Sequence, residues 1–179
     1  MKPSENLDAL LDLYTNALLD DVMPWWLEHG VDYEYGGVTE RIYEDGRVAD
    51  YDKPMWSLGR ALFVFSRLYR LIGARHEWLE VAEGIFHFIY PIGEHNKWVW
   101  PQTVTRDGRI REPAECIYAD GFAIMGLTEY AMATGDDDAM GLALATFETV
   151  EERSAKLGTH LAVPEHLVGR AMTHGISMI

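Results

Sequence analysis

The sequence predicts an all-α fold of the α/α-toroid type, in which helices pair and the loops between them gather at one end. Long stretches with apolar residues at helical spacing predict most of the chain as helix. Two similar hairpin signals interrupt these stretches, and each is followed by a helix that opens on aromatic residues. The sequence contains neither a glycine-rich phosphate loop nor regular strand–helix alternation, which argues against a Rossmann fold.

Five helices are predicted from apolar residues at helical spacing, with glycine or proline near their ends. Gly30 ends the first of them, and an acidic run at 136–138 favours the start of the fifth. The predicted helices cover 6–29, 54–72, 76–90, 114–134 and 136–156. A polar loop over 159–169 and the beginning of a sixth helix over 171–179 are predicted after them.

Two short β-hairpins are predicted between the helices, each around an Asp-Gly turn. Their strands cover 38–43 and 47–49 in the first hairpin, and 97–105 and 109–112 in the second. The two hairpins resemble each other, which indicates a weak internal repeat longer than the usual solenoid units. Trp98 and Trp100 alternate along the second hairpin, so we expect both on one face, either as part of a sugar platform or as cover for the helices beneath.

The composition fits a single domain over residues 1–179 and excludes several classes of partner. Hydrophobic residues make up 48% of the chain, enough to build a core. The net charge of −14 argues against nucleic acid and anionic membranes, which select basic surfaces. No apolar run approaches the ~20 residues of a membrane span, and the N-terminus lacks the apolar core of a signal peptide. The single cysteine, Cys116, excludes an internal disulfide and a cysteine-rich zinc site, so a cytoplasmic location is expected.

The entry to the second predicted helix carries the most informative residues. Pro54 suits the first helical position, and Asp52 before it is placed to cap free backbone donors. Trp56 and Arg60 lie four residues apart, on one face of that helix. An indole ring can cover the apolar face of a pyranose while a guanidinium donates to its oxygens. A core tryptophan beside a surface arginine is the alternative interpretation of the same pair.

The chain resembles the N-terminal segment of the N-acylglucosamine 2-epimerases, a family that includes cellobiose 2-epimerases and related aldose–ketose isomerases. Two blocks of sequence carry the resemblance, which covers nearly the whole chain. The first block comprises Gly36-Gly37-Val38-Thr39, Asp45-Gly46-Arg47-Val48, the run from Asp52 to Arg60, and Phe63-Val64-Phe65. The second comprises the run from Ala119 to Ala131, followed by Ala133-Thr134-Gly135-Asp136.

The resemblance implies an (α/α)6 barrel of about twelve helices, of which this chain would supply about the first half. Arg60 matches the family's substrate-binding arginine, and Trp56 and Tyr118 fall at positions that line the funnel in relatives. The family's histidine pair, which moves the proton at C2, sits in later helices without counterparts here, so no catalytic residue is assigned. Since half a barrel would expose a large apolar face, we expect self-association or a missing C-terminal half.

The implied chemistry is proton transfer at C2 of a reducing sugar through an enediolate, whose developing charge Arg60 would stabilise. His87 is expected to be a packed core residue, and His29 and His76 to be solvated. His166, in the predicted loop over 159–169, and His174, in the last predicted helix, lead as candidate bases, and His95 and His160 lie in loops. Acids expected at the rim, or else stabilising helix starts, are Glu40, Glu115 and Asp120.

Two other functions remain open at this stage. A half-barrel that binds carbohydrate or a protein partner without catalysis would share the same residues. A glycoside hydrolase would need two carboxylates at a set separation, and the sequence offers no convincing pair. No metal or nucleotide motif is visible, so we expect no cofactor. The resemblance implies a small-molecule sugar as the partner.

Overall fold

The computed structural model describes residues 3–115 and 117–154, and within these ranges the chain is mainly helical. The first helix, α1, covers residues 3–30, where the α-helical segments Pro3–Asn16 and Met23–Trp25 alternate with π-helical segments Ala17–Val22 and Trp26–Gly30. The other helices are α2 (Met55–Leu71), α3 (His76–His95), α4 (Tyr118–Thr134) and α5 (Asp137–Ser154). The five predicted helices are confirmed, while the predicted loop over 159–169 and the sixth helix lie outside the described residues.

Helix α3 continues past Pro91, where the sequence predicts its end. Pro91 removes one backbone donor, so the carbonyl of His87 loses its helical partner. Both residues are exposed to solvent, and water can therefore satisfy that carbonyl. Ile92 and Gly93 are buried, and their packing holds the last turn in place.

In the described residues four short strands form the two hairpins, and a fifth pairs with the second hairpin. Strands β1 (Arg41–Ile42) and β2 (Val48–Asp50) pair with each other in an antiparallel ribbon. Strands β3 (Lys53–Pro54), β4 (Thr103–Val104) and β5 (Ile110–Glu112) form an antiparallel sheet in the order β3-β4-β5. The second hairpin therefore bonds directly to the residues that precede α2.

The second hairpin begins at Thr103 and not at residue 97 as predicted. Lys97 and Trp98 have positive φ angles of 51° and 64°, and the Trp98 N–H donates to the Gly93 carbonyl at 2.9 Å. These residues close the end of α3, so they cannot start a strand. Trp100 is completely buried, with its indole N–H on the Thr146 hydroxyl at 3.1 Å, so a shared platform of Trp98 and Trp100 is wrong.

Helices α2 and α4 lie side by side, run in the same direction and meet backbone to backbone. Gly59 lies against Phe122, and one turn further along Gly126 lies against Leu62. A Cβ at Gly59 would lie 2.5 Å from the Phe122 carbonyl oxygen, and a Cβ at Gly126 would overlap the Gly59 carbonyl. Only glycine permits this approach, so these two residues set the spacing of the helix pair.

The other helices complete a layered arrangement around this pair. Helix α3 packs on α2, and α5 packs on α4. The all-α, α/α-toroid prediction is confirmed, with both hairpins near the N-terminal ends of α2 and α4. None of the helices in the described ranges combines the length and apolar character needed to cross a bilayer.

An ion cluster, formed by the buried residues Asp32 and Lys53 and by Arg106, ties the loop after α1 and strand β3 to the second hairpin. The Lys53 ammonium is completely buried and donates to Asp32 Oδ2 at 2.9 Å, the Gly36 carbonyl at 2.7 Å and the Arg106 carbonyl at 3.0 Å. The Arg106 guanidinium binds both oxygens of Asp32, at 2.8 and 3.0 Å. The loop after α1, the start of β3 and the turn of the second hairpin therefore meet at one carboxylate.

We expect Asp32 to bind a proton only at a pH far below the range in which ordinary carboxyl groups titrate. Burial opposes its ionisation, but hydrogen bonds from Arg106 and Lys53 outweigh burial and lower the pKa from 3.8 to about 2. Since the pKa of Asp32 is lower in the folded than in the unfolded state, its ionised carboxylate stabilises the fold fully above about pH 4. This contribution, about 2 kcal/mol, is lost as the pH falls towards 2. An NMR titration of the Asp32 carboxyl carbon measures this directly, and a midpoint near 4 would contradict the cluster.

Helix α1 leaves much of its apolar surface uncovered by the residues that the structure describes. Leu7, Leu11, Leu13 and Tyr14 are each more than 60% exposed. Further along α1, Met23 is buried and Leu18 and Leu27 pack against the core. The helix is therefore anchored through its second half, and its first half presents an apolar surface.

Candidate functional site

A cavity of about 330 Å³ lies where the N-terminal ends of α2 and α4 meet the hairpins. Trp56 and Tyr118, from the first turns of the two helices, form part of its wall. The remaining wall is mainly polar and includes Glu40, Gln102 and Glu112. Aromatic rings beside hydrogen-bonding groups suit a ligand that has both apolar C–H faces and hydroxyl groups.

The start of α2 is fixed by the sheet and not by the predicted cap. Pro54 belongs to β3 and precedes the helix with an extended backbone, so it is the N-cap residue. The first free N–H, on Met55, donates to the Gln102 carbonyl at 3.1 Å. Asp52 instead pairs with Arg111 at 2.8 Å, so the predicted capping role of Asp52 is wrong. The second hairpin thus aligns the helix that carries Trp56.

The Arg60 guanidinium contacts two aromatic rings. Its central carbon is 4.9 Å from the Trp56 ring centroid and 4.2 Å from that of Phe122. Among residues 3–115 and 117–154, every other arginine forms an ion pair, whereas no ion pair or hydrogen bond engages Arg60. A guanidinium carries five N–H donors, and since no described residue accepts from those of Arg60, they are available to a ligand.

A second cavity, of about 350 Å³, lies between α1 and α2. Its wall is mostly apolar, with Arg60, Ser57 and Glu40 as its polar members. Glu40 lines both cavities, and its carboxylate accepts a hydrogen bond from the Ser57 hydroxyl. The two cavities therefore adjoin at Glu40, with Trp56 on one side and Arg60 on the other.

The three residues predicted to bind substrate lie close together in the fold. Trp56 and Tyr118 share the polar cavity. Arg60 lies one helical turn after Trp56 and lines the adjoining cavity. Trp56 is 42% exposed, which excludes the alternative of a core tryptophan. The sequence prediction thus identified one connected region from two separate helices.

The acids predicted at the rim divide into different environments. Glu40 reaches the cavities, and Glu115 is exposed in the loop before α4. Asp120 is completely buried, where its Oδ1 accepts from the Trp100 N–H at 3.1 Å and from Arg153 at 3.0 Å. Burial raises the pKa of Asp120, against the opposing effect of these two donors. A rim position for Asp120 is therefore wrong, because this carboxylate connects α4 to α5.

None of the histidines in the described part of the chain lines the two cavities near Arg60. His87 is exposed and not a core residue, since Phe86 and Phe88 take the buried positions on either side of it. His87 and His95 line a separate open cavity of about 710 Å³ beside the second hairpin. Three other candidates lie outside the described residues, namely His160, His166 and His174, and Cys116 lies outside them as well.

Phe122 is the site residue that the sequence interpretation missed, although the internal repeat contains a signal for it. The turn glycines Gly46 and Gly108 are 62 positions apart. The same offset relates Trp56 to Tyr118 and Arg60 to Phe122, so the two helices present equivalent positions to the site. Pairing the repeats residue by residue would have placed Phe122 beside Arg60.

Comparisons with known proteins agree with this architecture. The N-acylglucosamine 2-epimerase (GlcNAc 2-epimerase) family model matches residues 36–168. The cellobiose 2-epimerase of Bacteroides fragilis is 33% identical over 137 residues, covering 74% of this chain and 34% of that protein. The N-acylglucosamine 2-epimerase of Homo sapiens is 33% identical over 126 residues, covering 66% of this chain and 29% of that protein.

A solved structure resembles the fold of this protein over most of the residues described above. The cellobiose 2-epimerase of Spirochaeta thermophila superposes with a TM-score of 0.74 at 26% identity, over 83% of this chain and 37% of that one. This neighbour is an (α/α)6 barrel. The chain spans about a third of the length of the curated relatives it matches. On the extent of the family match and the shared helical framework, the chain belongs to the N-acylglucosamine 2-epimerase family.

Proposed function

We propose that this chain supplies the sugar-binding and charge-stabilising part of a carbohydrate isomerase or epimerase site. The reaction is proton transfer at C2 of a reducing sugar, through an enediolate. The observation that carries the proposal is the Arg60 guanidinium, which contacts the Trp56 and Phe122 rings and has no ionic or hydrogen-bonding partner among the described residues. The names of the relatives, cellobiose 2-epimerase and N-acylglucosamine 2-epimerase, support the same reaction class.

Each part of the site has a role in this reaction. The rings of Trp56 and Tyr118 pack against the C–H face of the open-chain or cyclic sugar. Removal of the C2 proton places negative charge on the carbonyl oxygen. A permanently charged Arg60 therefore stabilises the transition state, in which this oxygen is negative, more strongly than the ground state, in which it is neutral. The N-terminal ends of α2 and α4 point to the same region and add a favourable positive potential. The proposal assigns proton transfer itself to groups outside the described residues.

Substitution of Arg60 tests the proposal. We expect Arg60→Ala to weaken binding of mannose, cellobiose or N-acetylmannosamine at least tenfold, and to lower any deuterium exchange at C2 about a hundredfold. Arg60→Lys should recover only part of either activity, since an ammonium lacks the planar fork. NMR in D2O measures both, through saturation transfer for binding and the C2–H signal for exchange.

Arg47→Ala is the matched control, because Arg47 also lies over an aromatic ring, Tyr43, but sits in the first hairpin turn and pairs with Asp45. It should behave as the wild-type chain does. If the wild-type chain binds none of these sugars, the proposed function is rejected. Binding without exchange would instead favour either the second candidate, a half-barrel that binds carbohydrate without catalysis, or a chain that needs further helices for proton transfer.

We also propose that further helices or a second copy of the chain cover α1, and that the protein acts in the cytoplasm. The exposed leucines at the start of α1 support the first part, since large apolar surfaces rarely stay open to water. The single cysteine supports the second part, because chains with few cysteines suit a reducing compartment.

A further inference from the structure

The aromatic ring closest to the Arg60 guanidinium belongs to Phe122, on the neighbouring helix. The guanidinium carbon is 4.2 Å from the Phe122 centroid and 4.9 Å from the Trp56 centroid. Trp56 is on the same helix as Arg60, four residues before it, so that contact is local. The contact with Phe122 is tertiary and exists only because α4 packs on α2.

Backbone contact between the helices fixes where the Phe122 ring lies. Gly59, the residue before Arg60, packs directly on the Phe122 carbonyl. Because Gly59 has no side chain, α4 approaches α2 closely enough for the Phe122 ring to cover the next residue, Arg60. Phe122 is half-buried, so the ring has neighbours that limit its rotation.

The contact changes what the guanidinium can do. An exposed arginine side chain samples many rotamers, and ordering it on binding costs affinity. Contacts with two rings restrict Arg60 before a ligand arrives, while its N–H donors, which no described residue engages, remain available. No hydrogen bond or salt bridge from the described residues performs this task, so the restriction depends on the rings.

We propose that Phe122 is a positioning residue that holds the Arg60 guanidinium in its ligand-binding orientation. It acts through Arg60, without bonding to the sugar's oxygens itself. This inference rests on the proposed function for its consequence on sugar binding. Its structural content, an immobilised Arg60 side chain, can be measured without any sugar.

The test compares Phe122→Leu, which removes the aromatic face, with Phe122→Tyr, which keeps it. Phe63→Leu is the matched control, because Phe63 lies under Arg67 at 5.3 Å on α2, away from the cavities. In the full chain, NMR of the arginine Nε–Hε groups reports the mobility and ring-current shift of Arg60, and titration with mannose or cellobiose reports affinity. Thermal melting followed by circular dichroism checks that each variant is folded.

We expect Phe122→Leu to mobilise the Arg60 side chain, abolish its ring-current shift and weaken sugar binding about fivefold. Phe122→Tyr should restore both properties, and Phe63→Leu should alter neither. An Arg60 signal that stays shifted and immobile in folded Phe122→Leu would overturn the proposal. Unchanged sugar affinity in that variant, where Arg60→Ala loses binding, would overturn it as well. If the wild-type chain binds no sugar, the proposed function fails, and the Arg60 spectrum alone decides whether Phe122 positions it.

Discussion

Asp32→Ala is expected to lower the free energy of unfolding by about 3–5 kcal/mol, because it leaves the Lys53 ammonium buried without a counter-ion. Lys53 is completely buried, and burial already lowers its pKa against the opposing effect of Asp32. The same carboxylate also accepts both donors from Arg106. Urea unfolding followed by circular dichroism at pH 7 measures the change.

Glu34→Ala is the control for this experiment, since Glu34 also pairs with Arg106, at 3.0 Å, but is 64% exposed. Exposed pairs contribute little, so this variant should match the wild type within error. A double variant, Asp32→Leu with Lys53→Met, should lose less than the two single variants combined, since no buried charge is left unpaired. Equal effects of Asp32→Ala and Glu34→Ala would show that burial of the cluster does not matter.

Gly59→Ala is expected to destabilise the protein by about 3 kcal/mol, the upper end for overpacking. The added Cβ would lie 2.5 Å from both the carbon and the oxygen of the Phe122 carbonyl. These are backbone atoms of α4, so relief requires the helices to separate along the whole contact. Urea unfolding measures the loss, and the change should also disturb the Arg60 side chain next to it.

Gly141→Ala, on another helix, is expected to change stability in the opposite direction. Gly141 lies within α5, and a Cβ there would meet nothing within 4 Å. Alanine is the better helix former by up to about 1 kcal/mol, so this variant should be slightly more stable than the wild type. Destabilisation by both substitutions would indicate a general intolerance of change and not a specific contact at Gly59.

The helices could be predicted because each depends on local information. Apolar spacing and end signals identified all five, and the Asp-Gly turns identified both hairpins. The exact ends were harder, since the local rule at Pro91 competes with burial of Ile92 and Gly93 beyond it. Trp98 and Trp100 look like strand residues by alternation. The backbone of Trp98 instead closes α3, and the side chain of Trp100 fills the core.

Local spacing predicted only the part of the site whose residues lie close in sequence. Trp56 and Arg60 share a helical face by their spacing alone, and the resemblance added Tyr118. The contact of Phe122 with Arg60 depends on the spacing of α2 and α4, which two glycines on different helices set together. The ion cluster joins Asp32, Lys53 and Arg106, of which the first and last are 74 positions apart in sequence. No local pattern predicts such a partnership.

The ion cluster also limits how this end of the molecule can be redesigned. Lys53 lies inside the cluster, and the next residue, Pro54, lines the polar cavity. The loop after α1, strand β3 and the turn of the second hairpin each supply one arm of the cluster, so exchanging the second hairpin alone would remove the Arg106 partner of the buried Asp32 carboxylate. Loop grafting to alter ligand preference would therefore have to transfer all three arms as one unit, with stability and binding changing together.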